Sequence, residues 1–184
     1  MDIKLIPVGT IKLNRETIIS DPCYSYGTWC THEEKHTLPG RYNCYTRTMD
    51  GFISRLIVVH EEYEKFLDLG SEDPNAMFDN FKSLMRVSGN VIGVDSGIAG
   101  IYDSKYFRKN QPDNDYNCMN SWLSRVADVC NADGGVLDNR CCVSYTGYGD
   151  GGYDLYMFRN HKKQTVAFIT DYLIENRFNT AQTA

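Results

Sequence analysis

The sequence predicts an α+β fold, made mainly of antiparallel sheets with two or three helices packed alongside. Short β-prone runs outnumber helical patterns, and most are separated by tight turns that favour hairpins. A β-rich motif occurs twice, at residues 18–24 and 100–106, which indicates an internal repeat. The strands and helices do not alternate as they would in a doubly wound parallel sheet.

Length, composition and charge indicate one globular domain. The chain has 184 residues, of which 42% are hydrophobic and 23% charged, which predicts a single domain over residues 1–176 and a flexible tail at 177–184. The formal net charge of −5 argues against a long nucleic acid as a partner. No apolar run is long enough to cross a membrane, and the N-terminus does not resemble a signal peptide. Seven irregularly spaced cysteines are expected to be free thiols, so we expect a cytoplasmic protein.

Hairpins are the commonest element predicted. They fall at residues 9–13 with 17–20, 41–48 with 52–60, and 91–94 with 98–102. Asp21-Pro22 ends the first hairpin, because proline cannot donate a hydrogen bond to a sheet. Asp50-Gly51 is a strong turn signal in the second. Further strands are predicted near residue 136 and over residues 140–146, 153–159 and 164–172.

Three segments show helical patterns, at residues 61–69, 75–87 and 117–130. In the second, Phe78, Phe81 and Met85 lie on one apolar stripe, and Asp73-Pro74 supplies a cap and a first-turn proline. In the third, the apolar side chains again share one face.

The repeat aligns Asp21 with Asp103 and Tyr24 with Tyr106, with the same spacing of 82 residues in both pairs. An aspartate at a strand end accepts hydrogen bonds from N–H groups of the following turn, and a tyrosine can fold back over it. The motif is then a strand-terminating turn used twice. Alternatively, the two carboxylates flank a cleft between the two halves, and the sequence leaves both interpretations open.

The segment at residues 145–153 (YTGYGDGGY) is the second feature that suggests a site. Four glycines between two strands predict an exposed loop, whose N–H groups could bind an anion such as phosphate. The pattern is neither a P-loop nor a dinucleotide fingerprint, because no Gly-Lys-Ser/Thr and no helix follows. A bulged hairpin turn is the alternative.

Catalytic and metal-binding patterns are weak. Asp21, Asp103 and Asp150 could perform acid–base chemistry, but nothing in the sequence shows that they meet. Cys23 and Cys30 lack the short spacing of a structural zinc knuckle. We therefore expect no metal and no cofactor, and a binding protein rather than an enzyme.

Three segments together resemble a family of phage and bacterial proteins with the signatures DPCY, VDSGQAGIFD and SGYGDGSY. The segments are residues 19–24 (ISDPCY), 94–103 (VDSGIAGIYD) and 147–153 (GYGDGGY). Ile98 stands where the family has glutamine, and Thr146 where it has serine. The family has no known function, so the resemblance transfers no activity. It implies a phage or bacterial origin and a cytoplasmic setting, and small phage proteins include anti-defence factors that sequester nucleotide-derived immune signals.

Three functions are compatible with these features. The favoured one is a phage-type protein that binds and sequesters a small nucleotide-like signal of host defence, with tyrosines stacking on a base. The alternatives are a hydrolase of such a signal that uses aspartate carboxylates, and an inhibitor that binds a host defence protein. Homo-oligomerisation stays open. The predicted ligand-binding residues are Asp21, Tyr24, Arg55, Asp95, Ser96, Asp103, Tyr106, Tyr145, Gly147, Tyr148, Gly149, Asp150 and Tyr153.

Overall fold

The computed structural model describes residues 2–66, 84–108 and 121–173. Within them the chain forms eleven strands, one α-helix and one short 3-10 turn. The strands are β1 (Ile3–Leu13), β2 (Thr17–Ser20), β3 (His32–Glu34), β4 (Gly40–Met49), β5 (Phe52–His60), β6 (Met85–Val94), β7 (Ile98–Asp103), β8 (Gly135–Leu137), β9 (Cys141–Tyr145), β10 (Gly151–Arg159) and β11 (Thr165–Asp171).

The strands form two antiparallel sheets. The first has the order β1-β4-β5-β11-β10-β6, and the second has the order β3-β2-β7-β9-β8. Apolar side chains of both sheets meet in one buried cluster, with Leu56 and Phe168 from the first sheet and Ile19 and Ile101 from the second. The architecture is therefore a β-sandwich whose main core lies between the sheets.

The helix α1 (Trp122–Val129) covers the outer face of the second sheet. Ser121 caps it by accepting a hydrogen bond from the Ser124 N–H at 3.1 Å. Trp122 and Val126 are buried in a second apolar cluster, which also contains Tyr102 and Val143 of the sheet. The amphipathic pattern predicted from the sequence thus serves to cover a sheet face.

The predicted α+β class is wrong, because the described chain is nearly all β. Of the helix predicted at residues 61–69, the described part holds only a 3-10 turn, Glu64–Phe66. The end of the helix predicted at residues 75–87 belongs to β6, since Met85 and Val87 pair with β10. An apolar stripe on a short segment does not distinguish helix from strand, and here the sheet pairing prevails.

Parts of other predictions lie outside the described residues. These are the remainder of the first two predicted helices, the start of the third at residues 117–120, and the tail at 177–184. The third predicted helix is confirmed where it is described, as α1.

Two of the three predicted hairpins are also wrong. The β4–β5 hairpin is confirmed and turns at Asp50-Gly51, where both residues have positive φ. In contrast, β1 pairs with β4 while β2 pairs with β3 and β7, so the chain crosses from one sheet to the other. The same crossing joins β6 to β7 and β9 to β10. A short turn between β-prone runs indicates a reversal of the chain and not which sheet each run joins.

In each sheet the strand order is symmetric about a central strand pair, apart from β8 at the edge of the second sheet. In the first sheet, β1, β4 and β5 on one side match β6, β10 and β11 on the other, and β5 pairs with β11 at the centre. In the second sheet, β2 and β3 match β7 and β9, and β2 pairs with β7. The fold therefore consists of two similar halves, and the second half additionally carries α1 and β8 between β7 and β9.

Candidate functional site

Asp21 fastens the end of β2 to the crossing between β6 and β7. Its Oδ2 accepts hydrogen bonds from the N–H groups of Asp95 and Ser96, both at 2.7 Å. Its Oδ1 accepts from the Cys23 N–H at 2.7 Å and from the Ser96 hydroxyl at 2.8 Å. The residue has no exposed surface, so its carboxylate holds the crossing in place and is not open to a ligand.

Asp103 makes the matching contact in the other half. Its Oδ2 accepts from the N–H of Asn14, in the crossing between β1 and β2, at 2.9 Å. Its Oδ1 accepts from the Lys105 N–H at 3.0 Å, and Arg140 lies 3.4 Å from Oδ2. Each aspartate therefore holds the connection between sheets that precedes the other copy of the motif. Because β2 and β7 are antiparallel, with Thr17 opposite Asp103, the two carboxylates lie at opposite ends of that strand pair.

A surface cleft of about 390 Å³ lies beside the first copy of the motif. We call it the Trp29 cleft. The loop that follows β2 forms one wall, and the neighbouring ends of β6 and β10 form the rest. Its lining residues are Tyr24, Thr28, Trp29, Cys30, Val91, Ile92, Gly93, Val94, Asp95, Gly151 and Gly152.

Tyr24 and Asp95 form a polar pair in this cleft. Burial raises the pKa of Tyr24, and its hydrogen bonds with the Asp95 carboxylate and the Cys30 thiol raise that pKa further. The phenol therefore stays protonated and donates to Asp95. Asp95 is exposed and its own N–H is held by Asp21, so its carboxylate is fixed at the cleft with capacity to accept further hydrogen bonds.

Trp29 presents a large aromatic face at the rim, since 93% of its surface is exposed. Val91, on the facing strand, is half exposed. Gly93 lets the two walls approach: its N–H donates to the Cys30 carbonyl at 2.9 Å, and a Cβ at this position would lie 2.9 Å from the Cys30 Cβ. The cleft is thus a mainly apolar concavity with an exposed tryptophan in its lining and one polar pair.

The glycine-rich loop between β9 and β10 lies beside the same crossing. The Thr146 N–H donates to the Gly97 carbonyl at 3.0 Å, and the hydroxyls of Thr146 and Tyr153 donate to the Gly149 carbonyl at 2.5 and 2.7 Å. Gly151 at its end lines the cleft. The three segments that carry the family resemblance therefore meet at one end of the sandwich.

The other predicted residues of this loop lie outside the cleft lining. Tyr145, Tyr148 and Asp150 are exposed, and the Tyr148 ring stacks on Phe52 with centroids 6.4 Å apart. Tyr153 is buried and makes an edge contact with Tyr172.

Three predicted residues lie elsewhere. Arg55 is fully buried and its guanidinium lies 3.0 Å from Asp171, so its charge is already paired inside the fold. Asp103 is buried and holds the connection between β1 and β2. The Tyr106 hydroxyl bonds Asp138 at 2.5 Å, and its ring packs on Trp122 of α1. Tyr106 of the second copy therefore packs against the helix, whereas Tyr24 of the first copy lines an open cleft.

The sequence reasoning missed Trp29, Cys30 and Gly93. Only Trp29 carried a usable signal, because a tryptophan within an otherwise polar loop has little reason to be there unless it packs or binds. Gly93 and Cys30 meet only through the fold, since they belong to different halves of the chain.

Comparisons with protein-family models, with curated proteins and with solved structures find no match for this chain. The resemblance to the phage and bacterial family therefore stays a prediction. No helix of the described residues is long and apolar enough to span a membrane. Nor do those residues contain a cluster of three or more histidine, cysteine, aspartate or glutamate side chains suited to hold a metal ion.

Proposed function

We propose that this chain is a non-catalytic binding protein that sequesters a small nucleotide-like molecule, whose base enters the Trp29 cleft. The observation that carries the proposal is that an exposed Trp29 and the Asp95 carboxylate line the same cleft. A planar base would stack on the indole, which contributes about 1–3 kcal/mol per base. Amino or imino groups at the base edge would donate to Asp95, as they do to acidic side chains in other base-recognition sites.

The charges of the cleft favour a particular orientation. Among the described lining residues, Asp95 is the one charged side chain, and none is cationic. Phosphate groups are therefore expected to point towards solvent while the base occupies the Trp29 cleft. This orientation differs from the expectation that N–H groups of the glycine-rich loop hold phosphate while an arginine such as Arg55, Arg41 or Arg140 supplies charge. Arg55 is buried in an ion pair and does not line the cleft.

Binding without hydrolysis is favoured over the enzyme alternative because two of the three candidate aspartates are already engaged within the fold. Asp21 and Asp103 are buried and already accept hydrogen bonds from backbone N–H groups, so neither is free to activate water. In the setting of phage infection that the family resemblance implies, such a binder would remove a host immune signal in the cytoplasm.

The test is a titration with GMP, AMP, cyclic di-GMP and ADP-ribose, followed by tryptophan fluorescence and calorimetry. Trp29 and the fully buried Trp122 are the two tryptophans of the chain, so quenching by a stacked base reports on Trp29. We expect Trp29→Ala to weaken binding at least about tenfold. Tyr26→Ala is the matched control, since Tyr26 is an exposed aromatic of the same loop that does not line the cleft.

Asp95→Asn tests the polar half of the site. It keeps the side-chain shape but replaces one acceptor oxygen by a donor, so a base with a donor edge should bind more weakly. Mass spectrometry of the ligand released on heating separates the alternatives: an intact ligand supports sequestration, and a cleaved one supports a hydrolase. If none of the four compounds binds, or if Tyr26→Ala and Trp29→Ala behave alike, the proposal is wrong.

A further inference from the structure

A second concave site lies at the opposite end of the sandwich. β10 begins with Gly151 at the Trp29 cleft and ends with Arg159 at this second site. Eight residue steps along a strand span roughly 26 Å, so a mononucleotide cannot reach both places. The site has a volume of about 580 Å³, and we call it the basic pocket. Its lining residues are Arg15, Lys35, His36, Thr37, Arg159, Lys162, Lys163 and Gln164.

The basic pocket concentrates positive charge on an acidic protein. Five of its lining side chains are arginine or lysine, and no carboxylate is among the described lining residues, although the whole chain carries a formal charge of −5. Four of the cations are exposed and form no salt bridge within the described residues: Arg15, Lys35, Lys162 and Lys163. Like charges repel at this proximity, so their gathering on one concavity favours an anionic partner.

The backbone that carries these cations is held by hydrogen bonds between distant segments. The Thr37 N–H donates to the Arg15 carbonyl at 3.0 Å, and the Thr165 N–H donates to the His36 carbonyl at 2.8 Å. In the turn between β10 and β11, the Asn160 carboxamide oxygen accepts from the N–H groups of Lys162 and Gln164, both at 3.0 Å. Three separate stretches of chain are thereby fixed around one opening.

Arg159 is anchored from behind the pocket. Its guanidinium donates to the buried Glu34 at 2.8 Å and to the Thr165 hydroxyl at 3.3 Å. Glu34 also accepts from the His36 N–H at 2.7 Å, so both of its carboxylate oxygens accept a hydrogen bond within the fold. The one neighbouring carboxylate in these contacts is therefore already compensated, and the exposed cations are left to act on a ligand.

We propose that the basic pocket binds a small polyphosphate anion, such as pyrophosphate, triphosphate or the phosphate chain of a nucleoside triphosphate. Lysine and arginine are the side chains that bind phosphate oxygens most strongly. The volume lies within the range of about 300–1,000 Å³ that is typical of small-ligand sites. The concave shape favours a compact anion over the extended backbone of a nucleic acid. This site shares no residue with the Trp29 cleft, so either proposal can be wrong without affecting the other.

The test is calorimetric titration of the full chain with sodium pyrophosphate, triphosphate and ATP at 50 mM salt, repeated at 500 mM. We expect saturable binding that weakens at the higher salt concentration. Lys162→Gln and Lys163→Gln should each weaken it several-fold, and the double variant by about tenfold or more. Both side chains are exposed in a turn, so the variants should fold normally, which a thermal melt verifies.

Lys4→Gln is the matched control. It removes the same charge from an exposed lysine at the start of β1, which pairs with the β4 residues before the Asp50-Gly51 turn and does not line the pocket. The control should leave binding within about twofold of the parent protein. Three results would overturn the proposal: no saturable binding of any of the three anions, an equal loss in Lys4→Gln and Lys162→Gln, or tighter binding of a 20-base-pair DNA duplex than of triphosphate.

Discussion

At the residue scale, Asp21 is the side chain on which the arrangement of the Trp29 cleft most depends. Asp21→Ala would remove a fully buried carboxylate and leave the N–H groups of Cys23, Asp95 and Ser96 without their acceptor. We expect the free energy of unfolding to fall by about 3–5 kcal/mol, measured by urea denaturation. Asp150→Ala is the control, because Asp150 is exposed, and it should change stability by no more than about 0.5 kcal/mol. Equal effects of the two substitutions would contradict the anchoring role of Asp21.

Cys23 provides a second test at this scale. Burial, followed by a hydrogen bond to Asp21, raises the pKa of its thiol to about 12. Since the thiolate is the reactive form, native Cys23 should react with iodoacetamide at pH 8 about a thousandfold more slowly than an ordinary thiol of pKa about 8.5. Peptide mass spectrometry follows this residue separately from the other cysteines. In 8 M urea the rate should return to the ordinary value, and fast alkylation in the native state would contradict the assignment.

The sequence could predict much of the chemistry of single residues and less of their placement. Asp21 and Asp103 were recognised as equivalent, and one of their two open interpretations was a turn, which is how both carboxylates are used. Each also reaches a crossing from the other half of the chain, and no local pattern reveals such a partner. Arg55 is predicted to meet a ligand because it could supply positive charge, yet it is buried and pairs with Asp171 far along the sequence.

At the scale of elements, the glycine-rich loop between β9 and β10 offers a matched pair of substitutions. Gly147 and Gly149 both have positive φ, at 66° and 83°. A methyl group on Gly149 would meet nothing, whereas one on Gly147 would collide with the backbone carbonyl of Ile53. Gly149→Ala should therefore cost about 1 kcal/mol of stability from backbone strain alone, and Gly147→Ala clearly more than that. Thermal or urea denaturation measures both, and equal costs would show that this loop does not pack on β5 as described.

The same crossings mark the limit of sequence-based prediction of the elements. The bounds of β2 match the predicted strand, and the β4–β5 hairpin was found from its Asp-Gly turn. The pairings of β1 and β6 were not found, because a three-residue connection can either reverse within one sheet or step to the facing sheet. Whether the chain reverses or steps across depends on how the apolar faces of the two sheets are buried against each other. That burial is a property of the whole fold.

At the scale of the whole molecule, the Glu34–Arg159 ion pair joins the two sheets, since Glu34 lies on β3 and Arg159 on β10. Burial of Glu34 disfavours its charge, but hydrogen bonds from Arg159 and the His36 N–H prevail, so the pKa of Glu34 lies below its ordinary value of 4.5. A lowered folded-state pKa contributes stability that is fully present above the unfolded value. That stability is lost as pH falls through the folded value.

Glu34→Gln should therefore lower the free energy of unfolding at pH 7 by about 2–3 kcal/mol. The difference from the parent protein should narrow as pH falls below about 4.5, because protonation removes the same charge from the parent. Urea denaturation at pH 7, 4 and 3 measures this. Glu61→Gln, at an exposed glutamate, is the control and should be nearly neutral at each pH. A difference that stays constant with pH would contradict an ionised Glu34.

The duplicated architecture predicts that neither half folds alone. A fragment of residues 1–66 contains β1 to β5 but lacks β11 beside β5 and β7 beside β2, so β2 keeps only the three-residue β3 as a neighbour. Leu56 and Val58, which are fully buried in the intact protein, would lose Phe168 and the rest of their shared core. Isolated sheets of this kind are marginal in water, so the fragment should lack a cooperative thermal transition by circular dichroism.

Mixing the fragment 1–66 in equal amounts with residues 84–184 should restore strand content and a cooperative melt. A fragment 1–66 that melts cooperatively by itself would show that the central pairs β5–β11 and β2–β7 are dispensable.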